Sequence, residues 1–269
     1  MPPDYKSLLK KITLRFILPL SFIVVFLVWC FLTPAGLLGK LDAIGYAVCH
    51  RIVQRSFMLD DRPLPLCARC TGMHLGVLFG LFYLTRQGKR GSLPSLKFLI
   101  FFIFCLLLFS LDGINSYINL IGIFPALYTT ENWMRLFTGA FLGIAMAGVL
   151  YPIFNQSIWV DWIPEPVLSQ WKQMAALILI GISLFMLVLS ENPIFLYPFA
   201  ILSTLDVMLV LTLIYTIIWV MITRKDNTMR GFNDLKWYLL AGLLTALVQI
   251  GIMDFSRFSL TGTWNGLLS

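Results

Sequence analysis

Long apolar runs with at most one charged residue recur along this chain and limit the folds open to it. One helical crossing of a bilayer needs about 20 apolar residues, and seven runs of unequal length are candidates. They are Ile12–Pro34, Cys67–Thr85, Phe98–Leu111, Met134–Ile153, Met174–Ser190, a stretch within Ile194–Thr223, and Trp237–Met253. Charged residues make up 12% of the chain, against roughly 25% in soluble domains. The sequence therefore predicts an all-α, polytopic transmembrane bundle of about seven spans.

Two of these runs carry additional information. The first, Ile12–Pro34, is too long for a signal peptide and lacks a small-residue cleavage site, so it predicts a retained anchor helix. The sixth run is too long for one untilted span. It predicts a tilted helix, a kink at Pro198, or a short re-entrant piece at its start.

Lysine and arginine are divided unevenly between the two sides of the predicted bundle. With a cytoplasmic N-terminus, 13 of the 20 basic residues fall inside, and the two longest loops, Leu37–Leu66 and Gly113–Trp133, fall outside. The seven outer basic residues are Lys40, Arg51, Arg55, Arg62, Arg69, Arg135 and Arg257. The chain is thus predicted to lie in the cell membrane, with an extracytoplasmic C-terminus. Its net charge of +7 suits anionic lipid headgroups and requires no nucleic-acid partner.

Cysteine and histidine concentrate in one short stretch. Both histidines and three of the five cysteines lie between positions 49 and 74, namely Cys49, His50, Cys67, Cys70 and His74. The other two, Cys30 and Cys105, sit inside apolar runs, where free cysteine usually behaves as a small hydrophobic residue. The concentration indicates a site rather than scattered core residues.

The spacing of these residues predicts a metal site. Two prolines just before Cys67 cannot continue a helix backwards, so a helix is expected to begin there. Cys67, Cys70 and His74 then lie at i, i+3 and i+7, on one helix face. Cys49 or His50 could supply a fourth ligand, and mixed thiolate and imidazole ligands favour zinc or another divalent metal.

Two alternatives use the same thiols. A CxxC pair at a helix N-terminus is also typical of thiol–disulfide enzymes, because the helix dipole stabilises the thiolate. Cys49 would then resolve a disulfide formed by Cys67 and Cys70. The three thiols could instead form a structural disulfide or stay inert on the oxidising side of the membrane.

Further polar residues fall on the same predicted side. Asp112 and Asn115 end the third span, and Glu131, Asn132 and Arg135 open the fourth. An arginine just inside a span usually has a partner, for which Asp112 is the expected residue. Asp112, Asn132 and Arg135 are therefore predicted to form a catalytic polar pocket, although Glu131 and Asn132 could equally cap a helix.

Two other acidic residues lie in apolar surroundings. Asp206 is flanked by apolar residues in the sixth run, and such a group predicts a functional role or an interhelical hydrogen bond to serine or arginine. Asp254 stands near Arg257 at the outer end of the last run, and a local pair between them would have no functional meaning.

The outer loop before the second span is rich in arginine. Four arginines in so short a stretch suggest an anionic ligand, because guanidinium groups bind phosphate or carboxylate in a bidentate manner. They are Arg51, Arg55, Arg62 and Arg69. The alternative is neutralisation by acidic residues of the same loop, Asp42, Asp60 and Asp61.

The polar motifs resemble a prokaryotic membrane-protein family catalogued as a domain of unknown function (DUF2085). The pattern CH, RSF, CARCTG, DG and N-x-x-R-x-x-TG matches Cys49–His50, Arg55–Phe57, Cys67–Gly72, Asp112–Gly113 and Asn132–Gly139. A glutamine expected shortly after the DG is replaced, with Asn115 or Ser116 near its position. The resemblance spans roughly residues 49–143 and implies one constellation of polar groups without supplying a function. The chain is predicted to comprise an anchor (1–36), a Cys/His membrane domain that resembles this family (37–153) and a three-helix portion (154–269).

Three functions are compatible with these residues. The first is a metal-binding membrane protein or metal-dependent enzyme acting on an amphiphilic substrate. The second is a thiol–disulfide oxidoreductase that passes electrons to a membrane quinone, and the third is a non-enzymatic subunit of a larger membrane complex. No P-loop, HExxH, GxSxG or CxxCH sequence selects a known mechanism. Beyond the lipid bilayer, the expected partners are an anionic or lipidic ligand or other membrane subunits.

Overall fold

A computed structural model describes residues 16–122 and 125–266, and within them the chain forms an all-α bundle. The eight α-helices are α1 (Leu18–Leu32), α2 (Gly36–Val48), α3 (Ala68–Thr85), α4 (Leu96–Ile121), α5 (Asn132–Ile158), α6 (Trp171–Leu189), α7 (Pro193–Ile222) and α8 (Phe232–Thr261). This confirms the predicted fold class. The first residues of the predicted anchor, before position 16, lie outside the described part.

Five helices, α4 to α8, are long and apolar enough to cross a membrane, and the bent pair α1–α2 makes six when counted as one span. Helix α3 does not join them, so the prediction of about seven spans is not confirmed. It has 18 residues, ten of them buried, and includes Arg69, His74 and three glycines. Because neighbouring helices cover α3, it does not need the apolar surface of a lipid-facing helix. The predicted orientation of the termini stays a prediction.

The turn between α1 and α2 corrects the predicted outer loop. Residues expected to be loop after position 37 form α2, at 101° to α1. Lys40 holds this bend, because its ammonium donates to the Thr33 carbonyl at 3.0 Å, to the Thr33 hydroxyl at 2.9 Å, and to the Cys30 carbonyl. These contacts satisfy acceptors at the end of α1 that lack partners within the helix.

Two other predicted boundaries also move. Helix α4 continues to Ile121, so Asp112 and Asn115 lie within it rather than in a loop. The sixth predicted span is one continuous helix of 30 residues that contains Pro198, so a separate re-entrant piece is wrong. At 1.5 Å per residue this helix is about 45 Å long, so it must tilt within a hydrocarbon core of about 30 Å or project beyond it.

Helices α3 and α5 form the most intimate pair, because glycines let their backbones touch. A Cβ added to Gly72 or Gly76 would lie 2.4 or 2.3 Å from a carbonyl oxygen of α5. A Cβ added to Gly139 or Gly143 would lie 2.2 or 2.0 Å from a carbonyl oxygen of α3. Such small-residue contacts are a common way to pack membrane helices. They fix the starts of α3 and α5 side by side.

The remaining structure is short. β1 (Met58–Leu59) and β2 (Arg62–Pro63) form an antiparallel hairpin before α3, preceded by the 3-10 turn Val53–Arg55. At the opposite end of the bundle β3 (Arg90–Ser92) pairs in parallel with β4 (Ile163–Pro166). Contacts described below gather the end of α2, the starts of α3 and α5, and residues near the ends of α4 and α8 at one end of the bundle. We call it the cysteine end.

Candidate metal centre and arginine cluster

Three thiols meet at the cysteine end. Cys49 directly follows α2, Cys67 is the N-cap of α3, and Cys70 lies in the first turn of α3. Their sulfur atoms all lie within 4.8 Å of one another. Cys49 and Cys67 are buried and Cys70 is half-buried, and all five cysteines, each within the described residues, are free thiols. The predicted helix start at Cys67 is confirmed, and it brings the CxxC pair to the cysteine that follows α2.

Hydrogen bonding within the cluster makes the thiols unequal. The Cys67 backbone N–H donates to Cys49 Sγ at 3.4 Å. Hydrogen bonding from the Cys67 and Cys70 side chains lowers the pKa of Cys49 well below its ordinary value, despite burial. The bond with Cys49 raises the pKa of Cys67 to about 12. Cys49 is therefore the thiol that these contacts favour as a thiolate.

The two histidines occupy different positions relative to the thiols. His50 lies at the edge of the thiol cluster, with its Nδ1 at 3.8 Å from Cys49 Sγ. It is not part of the group whose ligand atoms all lie within 4.8 Å of one another. His74 is on the predicted face of α3, but its Nδ1 contacts Asp206 Oδ2 of α7 at 2.8 Å. Both members of this pair are buried. The interhelical bond expected of Asp206 is thus present, with histidine rather than serine or arginine as its partner.

The loop that carries Cys49 and His50 is held by Arg257, near the end of α8. The guanidinium donates to the carbonyls of Tyr46 and Cys49 at 2.6 Å each and to that of His50 at 3.2 Å. It also lies 4.0 Å from the centroid of the Tyr46 ring. The expected local pair with Asp254 does not form, because Asp254 accepts a bond from Trp29 Nε1 at 3.0 Å instead. Sequence reasoning missed this role of Arg257, and its outer position was the one signal available.

The polar residues at the ends of α4 and α5 also come together, with different partners from those predicted. Asp112 pairs with Arg69 and accepts a bond from the Tyr128 hydroxyl at 3.1 Å, so the predicted Asp112–Arg135 pair is wrong. Arg135 donates to Asn132 Oδ1 at 2.8 Å and to Ser116 Oγ at 3.3 Å. Arg69 belongs to the first turn of α3, and the close packing of α3 on α5 brings this turn beside α4, where Asp112 lies.

The arginines of the loop before α3 divide into two groups. Arg51 pairs with Asp42 at 2.8 Å and Arg62 pairs with the other oxygen of the same carboxylate, so one acidic residue offsets half the charge of these two and the predicted alternative is present only in part. Arg55 instead donates to the Ser116 carbonyl at 2.9 Å. Burial and the charge of Arg69 lower the pKa of Arg55. Arg55, Arg69 and Arg135 thus form what we call the arginine cluster.

Side-chain amides hold the loops beside this cluster. Asn132 donates to the Gln54 carbonyl at 3.3 Å, which ties the start of α5 to the 3-10 turn. Asn115 donates to the Tyr128 carbonyl at 2.8 Å and accepts from the Leu127 N–H at the same distance. An amide near the position expected to hold glutamine therefore shapes the loop that brings Tyr128 to Asp112.

An apolar groove runs between α4 and α5 from the cysteine end. Its upper part has a volume of about 610 Å³ and includes Asp112 and Tyr128 among mainly apolar residues. A second depression of about 310 Å³ continues it along the helices. Leu108, Phe137 and Thr138 line both parts. We call the two together the α4–α5 groove.

Comparisons with known proteins agree with the resemblance in the polar motifs. Residues 49–149 match the family model described as "Predicted membrane protein (DUF2085)", which confirms the predicted resemblance. The chain is 29% identical over 121 residues to uncharacterized protein MJ1492 of Methanocaldococcus jannaschii. This match covers 44% of the chain and 71% of that relative. No solved structure gives a significant match. The chain is a multi-pass membrane protein with a cysteine cluster at one end of its bundle.

Proposed function

We propose that this protein binds a zinc ion through Cys49, Cys67 and Cys70. One observation carries the proposal: three sulfur atoms from two separate parts of the chain lie within 4.8 Å of one another. Thiolates at about 2.3 Å from a tetrahedral zinc ion lie about 3.8 Å apart, so small adjustments would bring all three into contact with one ion. Soft thiolate ligands select zinc over harder divalent cations.

Burial supports a cation among these thiols. Two of the three are buried, and the ionised form of a buried thiol is costly unless a positive charge compensates it. The ion would also join the chain after α2 to the first turn of α3, across 18 residues of sequence. His50 lies on the side of Cys49 and would provide the fourth ligand after a rotation of its ring.

Exchange of His50 for a water or substrate oxygen would give the centre a chemical role. Catalytic zinc sites commonly combine three protein ligands with one exchangeable position, where the ion polarises a bound oxygen. Asp112, Asn132 and Arg135 are the residues proposed to contact an amphiphilic substrate there. Arg69, two residues after Cys67, pairs with Asp112, which supports treating the thiols and these polar residues as one site.

Metal analysis of the full-length protein, purified in detergent without metal-affinity resin, tests the metal proposal. We expect one zinc ion per chain in the wild type and a loss of most of it in Cys49→Ser and Cys70→Ser. Cys105→Ser is the matched control, because Cys105 is a buried thiol of α4 outside the cluster. A metal-free wild type, or Cys70→Ser with a full complement of zinc, would refute the assignment.

A thiol–disulfide oxidoreductase is the second candidate, because the CxxC pair begins a helix and a third thiol lies within disulfide-exchange distance. In that function Cys67 and Cys70 form an S–S bond while two electrons and two protons pass to a quinone. Alkylation of unreacted thiols followed by mass measurement distinguishes the candidates. A metal-free protein with a Cys67–Cys70 disulfide that quinone forms and dithiothreitol reverses would favour the second. A zinc-bound protein with three alkylatable thiols after chelation would favour the first.

A further inference from the structure

We propose that the cysteine end binds an anionic phospholipid, with its phosphate on the arginine cluster and one acyl chain in the α4–α5 groove. This inference goes beyond the metal proposal. It shares Asp112 and Arg135 with the proposed substrate contact but uses none of the three thiols, so zinc binding and lipid binding can fail independently.

The three guanidinium groups converge on one face of α4 although they come from three separate elements. Arg69 of α3 pairs with Asp112 and lies 5.4 Å from the centroid of the Phe109 ring. Arg55 of the 3-10 turn and Arg135 of α5 both contact Ser116, one turn further along α4. Their charges also act on one another. Three like charges held this close require a compensating anion.

The described contacts compensate this charge only in part. Asp112 neutralises Arg69, whereas the partners of Arg55 and Arg135 are neutral carbonyl, hydroxyl and amide oxygens. A zinc ion with three thiolates would add one negative charge nearby and still leave one positive charge over. Arg135 is 93% buried, and its Nε has no partner in the described part of the chain. A phosphodiester supplies one negative charge and several acceptor oxygens, which suits guanidinium donors.

The groove gives the ligand an apolar part. Asp112 belongs both to the arginine cluster, through Arg69, and to the upper groove, so the site for a headgroup adjoins the site for a chain. From Asp112 the lining of α4 continues down to Phe101, which is about 16 Å along the helix. That is roughly half of a hydrocarbon core about 30 Å thick, as expected for a chain within one leaflet.

The aromatic residues at the mouth of the groove agree with this depth. Tyr128 and Trp133 line its upper part beside the acidic and amide groups, and both are exposed at the surface. Tyrosine and tryptophan concentrate at the headgroup level of a bilayer. A lipid with its phosphate at the arginine cluster would therefore lie at the height of its neighbours in the membrane. A free phosphate ion would leave the apolar groove without a role.

Native mass spectrometry of the delipidated full-length protein in detergent tests the proposal. Dioleoyl phosphatidylglycerol is the probe, and dioleoyl phosphatidylcholine controls for chain binding without net negative charge. We expect one phosphatidylglycerol to bind at least about tenfold more tightly than phosphatidylcholine. Arg55→Gln should weaken the binding of phosphatidylglycerol about tenfold, because it deletes one charge-assisted contact. Arg55→Lys should retain part of it.

Two further comparisons separate the headgroup from the chain. Arg62→Gln changes an arginine of the same outer loop that pairs with Asp42 and lies outside the arginine cluster, so wild-type lipid affinity is expected. Dihexanoyl phosphatidylglycerol, whose chains are too short to fill the groove, should bind at least about tenfold more weakly than the dioleoyl lipid. Equal binding of both headgroups, equal binding of both chain lengths, or no effect of Arg55→Gln would each overturn the proposal. Displacement of the lipid by millimolar inorganic phosphate alone would instead indicate a free-anion site and would also overturn it.

Discussion

At the scale of single residues, Arg257 shows how a side chain far along the chain positions two candidate ligands. Its guanidinium donates hydrogen bonds to the carbonyls of Tyr46, Cys49 and His50. The chain leaves α2 at this point, and Cys49 has an extended backbone conformation. Groups that orient metal ligands without touching the metal commonly affect affinity. Arg257 is therefore a positioning residue in the proposed zinc centre.

Substitution of Arg257 by glutamine should weaken zinc binding without abolishing it. Since glutamine cannot make all three hydrogen bonds to the carbonyls of Tyr46, Cys49 and His50, we expect a fall in zinc affinity of about 10- to 100-fold. Competition with a chromophoric chelator measures the change. Arg86→Gln, at the far end of α3, removes an arginine that stacks on Phe82 and should leave the affinity unchanged. An affinity for zinc in Arg257→Gln equal to that of the wild type would contradict this role.

His74 illustrates what the sequence could and could not predict about the site. The sequence predicted that Cys67 and Cys70 gather with a residue of the preceding loop, and their sulfur atoms do lie beside that of Cys49. It also grouped His74 with them, although His74 is not part of this cluster in the described residues. Spacing within one helix gives no information on a partner 132 residues away, and it is Asp206 that contacts His74. Sequence spacing likewise could not distinguish Arg69 from Arg135 as the partner of Asp112, and the pair that forms is Arg69–Asp112.

Removal of His74 should therefore affect stability and leave metal content intact. His74→Ala leaves the Asp206 carboxylate buried without its partner, and Asp206→Ala leaves the imidazole in the same condition. Each should lower the free energy of unfolding by about 1–3 kcal/mol, and the double variant should cost less than the sum of the two. Denaturant unfolding in mixed micelles and zinc analysis provide the measurements. Loss of zinc in His74→Ala would show that histidine to be a ligand.

At the scale of helices, the glycines of α3 and α5 determine where the site can form. Gly72 and Gly76 face Gly139 and Gly143 at four-residue spacing, and each accommodates a backbone atom of the opposite helix. Arg69 lies one turn before the first glycine of α3, and Arg135 lies one turn before the first of α5. Backbone contact between the helices is thus what brings both arginines onto α4.

Gly143→Ala should destabilise the bundle more than an alanine at a spacious glycine. A Cβ at position 143 would meet Met73 O at 2.0 Å, so the helices must separate, at a cost of about 1–3 kcal/mol. Gly251→Ala in α8 is the control, since its Cβ would lie 3.8 Å from its nearest neighbour, Cδ1 of Trp29. Thermal unfolding in the same detergent compares the two. Equal unfolding temperatures for both variants would contradict the importance of this contact.

Apolar runs predicted most helices but misplaced several of their ends. Hydropathy detects the lipid-facing surface, and it identified α4 to α8 because their outer faces are rich in leucine, isoleucine and phenylalanine. Hydropathy did not predict helix α2, because Lys40, Asp42 and two glycines interrupt its apolar residues. Those apolar residues mostly face the bundle rather than lipid. Helix α4 continues past Asp112 because the protein supplies partners for its polar residues. An apolar run ends at the first polar residues, whereas the helix itself can continue beyond them.

At the scale of the whole molecule, the site extends beyond the part shared with the matched family. That match ends at residue 149, yet Asp206 contacts His74 and Arg257 holds the Cys49 segment. Helices α7 and α8 therefore serve as supports for groups contributed by the earlier part of the chain. We expect changes in these helices to alter the thiol cluster even though none of its sulfur atoms comes from them.

The cysteine end is predicted to face outward, because only seven of the 20 basic residues are assigned to that side. A protease-cleavable tag placed after the last residue should be removed from intact spheroplasts by added protease. The same tag before the first residue should be removed only after the cells are permeabilised. The reverse pattern would place the thiols in the cytoplasm and would contradict the orientation assigned from charge.

Chelation should reveal how far the proposed zinc ion stabilises the whole bundle. An ion bound by residues after α2 and at the start of α3 favours the folded state by mass action, and at a free concentration 1,000 times the dissociation constant this amounts to about 4 kcal/mol. A strong membrane-permeant chelator should therefore lower the unfolding temperature of the wild type, and added zinc should restore it. Cys70→Ser should unfold at the lower temperature with or without chelator, because it has already lost the ion. If chelator lowers the unfolding temperatures of both proteins equally, the stabilising metal is bound somewhere other than at these thiols.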